Sequence, residues 1–128
     1  MIDDFAKAYL HDDLRWTRTS LLGTLDDLSE YDVRRPLTVT GTNLLGLVKH
    51  LALTEARYFG EIFDRPFPDP IPHWDDRAAH RAHMWATEHE SRAEILDRYA
   101  SACRFADATI DALPVDAPDT CRGGPGRT

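Results

Sequence analysis

Apolar residues recur at helical spacing in three long stretches of this chain. Between Asp4 and Leu28, Leu10, Leu14, Leu21, Leu25 and Leu28 share one side of a 3.6-residue wheel, while Phe5, Tyr9 and Trp16 share another. A helix with two apolar sides is either central or touches a partner, and the expected cover for the aromatics is a loop of the same chain. In TNLLGLVKHLALTEARYFGEIF, Thr42 to Phe63, one face carries Leu44, Val48, Leu51, Tyr58, Phe59 and Ile62, with Thr42 or Asn43 as N-cap. The third stretch carries Ile95, Tyr99, Ala102, Cys103, Ala106, Ile110 and Leu113. Its predicted start is a capping box, in which Thr87 and Glu90 satisfy each other's amides, and Pro114 closes it.

Long helices are therefore expected near residues 4–28, 43–63 and 88–113. SEYDVRRP reads as a turn ended by Pro36. Pro66, Pro68, Pro70 and Pro72 forbid a helix and predict an extended crossover after Asp64. Residues 75–85 read as partly helical. Residues 1–113 then form one all-α bundle, and residues 114–128, with no apolar period, form a disordered or aberrant tail. Three such helices can close a bundle alone or make up most of a four-helix bundle.

Composition narrows the partners. The net charge is -7, from 15 basic and 22 acidic residues, which disfavours nucleic acid or an anionic membrane surface. No apolar run is long enough to span a bilayer, and the acidic start MIDDFAKAYLHDD is not a signal peptide. Cys103 and Cys121 are too few for a disulfide framework, so the chain reads as soluble, cytoplasmic and reduced.

Candidate chemistry is sparse. His50 lies at the edge of the apolar face of its helix and Glu55 near its centre. A carboxylate there needs a partner, because burying an unpaired charge is prohibitive. An internal salt bridge or hydrogen bond, for instance to an arginine of another helix, is the ordinary account of Glu55, and a half-buried ring bonded to backbone is that of His50. His80 and His83, three residues apart, are either a solvated turn or half of a metal site; His11, His73 and His89 have no recognisable partners. Cys103 reads as a small core residue, and no phosphate loop, nucleophile elbow or CxxC pair is present.

RRPLTVTGTNLLGLVKHLALTEARYFGEIF and HMWATEHESRAEILDRYASAC resemble the DinB-like superfamily, in an uncharacterised actinobacterial branch. Mycothiol-dependent maleylpyruvate isomerases and bacillithiol transferases belong to the same superfamily. The resemblance covers about Leu14 to Leu113. It implies an up-down-down-up four-helix bundle that binds a divalent metal, zinc or nickel, through three side chains, together with a low-molecular-weight thiol. His50 matches the first metal ligand, and Glu55 matches the carboxylate that follows it, in a supporting role. The other two ligands belong to a fourth helix with an HxxxH-like pair; no histidine follows His89, and the Gly/Pro/Arg end reads as shortened or frame-shifted. The resemblance thus implies a metal-dependent transferase or isomerase with one of its three ligands, expected to have little or no activity. The alternative is a non-catalytic helical interaction module or homodimer.

Overall fold

The computed structural model describes residues 2–39, 41–68, 76–114 and 116–117. Among them the chain is all helical, with no strand. The elements are α1 (Ile2–Asp26), α2 (Glu30–Arg34), α3 (Leu44–Tyr58), a 3-10 turn (Glu61–Phe63), α4 (Arg77–His83) and α5 (Arg92–Ala112). No described helix is long and apolar enough to cross a membrane.

Side-chain chemistry accounts for most of the boundaries. Asn43 is the N-cap of α3, its side chain accepting from the Gly46 amide at 2.8 Å. Ser29 caps α2, where a turn was expected. Ser91, not Thr87, caps α5 by accepting from the Glu94 amide. Thr87 and Glu90 do bond to each other, but they close a turn ahead of the helix. Asp76 caps α4. Residues 64–68 are non-helical as expected, while the crossover at 69–72, His73 and the tail from residue 118 lie outside the described residues.

The directions of the long helices follow from their cross-contacts. Lys7 reaches the Asp111 carbonyl and Arg92 reaches the carbonyls of Leu25 and Leu28, so α1 runs antiparallel to α5. Lys49 bonds Glu90, Glu55 bonds Cys103 and Arg65 bonds Thr109, so α3 advances in the same sense as α5.

The apolar core sits at one end, where Leu25, Val33, Leu45, Val48, Ala86, Ile95 and Tyr99 pack together. Burying such side chains contributes roughly 1.5–3 kcal/mol each. Gly46 permits the close approach of α3 to the segment after α4: a Cβ there would lie 1.9 Å from the Met84 carbonyl oxygen. The buried side of α3 is rotated from the predicted one. Leu45, Val48, Leu53, Glu55 and Ala56 face inward, whereas Tyr58 is exposed. Phe5, Tyr9 and Trp16 are also exposed, between 66% and 75%, so no described loop covers them. They stand on the side of α1 opposite Leu25 and Arg18, which α3 and α5 enclose.

Candidate functional site

Beyond the apolar core the same three helices bring charged residues together. On α1, His11 and Arg18 are two turns apart and share a side, and both are buried. On α5, Tyr99, Cys103 and Asp107 follow one another at four-residue spacing. Glu55 enters between them from α3.

Arg18 holds the cluster together. Its Nε donates to Glu55 Oε1 at 3.0 Å and its Nη2 donates to the same oxygen, while Nη1 donates to Asp107 Oδ1 at 2.7 Å. Burial opposes the charge on this guanidinium, but the hydrogen bonds to Glu55 and Asp107 outweigh it, and its pKa rises further. The ion pair expected for Glu55 is therefore present, with Arg18 of α1 as the partner. Asp107 also accepts from His11 Nε2 at 2.8 Å. Burial would raise the Asp107 pKa, yet the bonds from Arg18 and His11 hold it below the usual carboxylate value. His11, without a recognisable partner in the sequence, thus has one in the structure.

Cys103 Sγ donates to Glu55 Oε2 at 2.8 Å. Burial and that bond push its thiol up to about 12, and burial likewise raises Tyr99. Cys103 is therefore a protonated thiol at neutral pH and not a ready nucleophile.

Past the charged cluster lies a groove of about 230 Å³. Leu10 and Leu14 line it from α1, Phe59 and Phe63 from the end of α3 and the 3-10 turn, and Ile110 and Leu113 from α5. Its polar borders are Lys7, His11 and Thr109. All three predicted apolar stripes contribute to this groove.

His50 is half-buried, as expected, but its Nδ1 is sealed from solvent without a hydrogen-bond partner. Burial and the neighbouring His80 lower its pKa. His83 Nδ1 is in the same condition, and His80 and His83 are both half-buried, so RAAHRAH is a helix and not a solvated turn. His80 Nε2 lies 3.1 Å from Arg57 Nη1. A sealed, unpartnered nitrogen suits His50 to a ligand role. Among the described residues, however, no three His, Cys, Asp or Glu side chains form a group able to hold a metal ion, so a complete centre does not fit them.

Sequence reasoning missed His11, Arg18, Asp107 and Tyr99. The available signal was the one that exposed Glu55: a charged residue, Arg18, falling on the wheel next to Leu25, at the edge of the leucine stripe.

Stability is expected to fall in two stages as the pH is lowered. Burial, then Lys49, depress the folded pKa of His83 below the ordinary 6.5, so the unfolded chain binds the extra proton first. That contribution is complete above about 6.5 and is lost as the pH falls toward the folded value. Asp107 and Glu90, also depressed, contribute fully above the ordinary carboxylate range and lose that contribution below about pH 4. Thermal melts from about pH 8 to about pH 3 test this. A melting temperature that rises between roughly pH 7 and 5 would contradict the first stage.

No curated protein and no solved structure matches the chain. A family model does, that of the Mycothiol-S-transferases, and its match over residues 9–127 continues past Leu113 into the tail. The chain therefore belongs to the mycothiol-S-transferase family, part of the DinB-like superfamily.

Proposed function

We propose that this chain is a mycothiol-linked S-transferase acting on small electrophiles. The carrying observation is the apolar groove beside a buried charged cluster, in a chain whose family implies mycothiol. The groove supplies a water-poor site for an apolar electrophile, and the cluster keeps its walls in register. The antiparallel α1 and co-directional α3 and α5 are compatible with three helices of an up-down-down-up bundle.

His50 is the proposed metal ligand, its unpartnered Nδ1 being the supporting feature. A bound zinc or nickel ion would lower the pKa of a coordinated thiol. A catalytic ion of that kind takes about three protein ligands, so the metal-assisted route is expected to be weak. Glu55 acts on the other side of α3, as the partner of Arg18 and Cys103.

Calorimetric titration with mycothiol tests the reading, followed by transfer to monobromobimane with and without added zinc or nickel. Binding is expected, with slow transfer that the ions raise little. Failure to bind mycothiol overturns the assignment, and strong stimulation by either ion overturns the weak metal route.

The exposed Phe5, Tyr9 and Trp16 favour a second reading, a helical interaction module or homodimer. Sedimentation over a concentration series distinguishes it: a monomer throughout would remove the homodimer.

A further inference from the structure

We propose that His11 is the base that takes the thiol proton, and that the adjoining groove holds the electrophile, a single-ring aromatic molecule carrying a leaving group. This rests on the thiol-transfer reading. The hydrogen bond from His11 Nε2 to Asp107 sets the tautomer, leaving the lone pair on Nδ1. Asp107 is in turn fixed by Arg18, so the ring is held by a chain of charged groups reaching α3. Among the described residues Nδ1 itself makes no hydrogen bond. Asp111 Oδ1 lies 4.0 Å away, beyond hydrogen-bond range. The His11 side chain is 7% exposed and lines the groove beside it.

The surroundings suit such a role. His11 borders both the apolar groove and a polar hollow lined by Asp4, Lys7, Asp12, Arg15 and Asp111. The charges facing the ring are therefore Asp107, Asp111 and Arg18 at close range, with Lys7, Arg15, Asp4 and Asp12 around the hollow. The groove's volume of about 230 Å³ exceeds the roughly 150 Å³ of an apolar cavity that accepts benzene. It has room for one substituted ring, and its apolar walls disfavour a charged one.

The step balances as follows. Nδ1 accepts the proton of the thiol S–H, and the sulfur electron pair forms the new C–S bond. The bond from that carbon to the leaving group breaks as it forms, and the leaving group departs with the pair. The imidazolium then releases its proton to water.

Alkylation by para-bromophenacyl bromide tests this without any thiol. The reagent presents an aromatic ring to the groove and a CH2–Br carbon to a ring nitrogen, which displaces bromide. Peptide mapping of the intact chain is expected to find His11 alkylated about tenfold faster than the exposed His89. Para-bromoacetophenone, with the same ring and no leaving group, should protect it. Asp107→Asn should slow labelling about tenfold or more, by disturbing the tautomer. Should that variant not fold, His11→Gln and the competitor still decide. Labelling of His11 no faster than that of His89, or no protection, overturns the proposal. Because no thiol is used, failure here leaves the mycothiol assignment standing, and failure to bind mycothiol leaves the labelling result standing.

Discussion

Replacing Arg18 with methionine is expected to cost about 3–5 kcal/mol of folding stability, because it leaves buried carboxylates without their cation. Arg18 and Glu55 side chains are 8% and 10% exposed, and Asp107 at 30% shares the same guanidinium. Methionine retains most of the stem's packing, so the loss reports on charge and hydrogen bonding. On a domain whose total stability is roughly 5–15 kcal/mol, such a loss brings the chain close to unfolding. Urea denaturation at neutral pH measures it. Adding Glu55→Leu to the Arg18→Met chain should recover part of the loss by removing one stranded charge. A cost under about 1 kcal/mol for Arg18→Met would show that the pair behaves like one at the surface.

Asn43→Ala is expected to be comparably severe. The side chain is fully buried and makes four hydrogen bonds. It accepts from the amides of Gly46 at 2.8 Å and Ala86 at 2.9 Å, and donates to the carbonyls of Arg34 and Ala86, each at 3.1 Å. One residue thus caps α3 and ties it to α2 and to the strap before α5. Losing a cap costs about 0.5–2 kcal/mol, and each stranded buried group a further 1–3 kcal/mol or so. The total is on the order of 3–5 kcal/mol. Asn43→Asp keeps both acceptors and loses both donors, but it also sets an unpaired buried carboxylate against the Arg34 and Ala86 carbonyls, so at neutral pH it should cost at least as much as alanine. An aspartate variant clearly more stable than the alanine one would overturn this. Urea denaturation of the two variants side by side decides between these outcomes.

Local rules reached some features of this molecule directly. Asn43 stands before an apolar run, and capping chemistry named it together with Thr42; the structure chose Asn43. Glu55, a carboxylate on an apolar face, required a counter-charge, and an arginine of another helix supplied it. The same reasoning applied to α1 would have singled out Arg18. Thr87 and Glu90 show where local rules end. One of their two predicted bonds forms, from the Thr87 amide to the Glu90 carboxylate, but the Thr87 hydroxyl turns to that carboxylate instead of the Glu90 amide, Ser91 offers a second cap, and the helix starts there. Tyr58 and the aromatics of α1 show another limit. Periodicity reports that a face is apolar, not whether a neighbour covers it.

Apolar spacing and the prolines by themselves determined that the chain forms three long helices, that residues 64–68 are non-helical, and that a buried charge on α3 must be paired. These follow from spacing, backbone sterics and desolvation, which act over a few residues. Which arginine pairs with Glu55, that His11 lies against Asp107 96 positions away, and that Leu10, Phe63 and Ile110 border one groove were decided only by the tertiary structure. Such contacts depend on the directions and rotations with which α1, α3 and α5 pack. A rotation of one residue on a helix moves a side chain by about 100°, enough to exchange a buried partner for solvent.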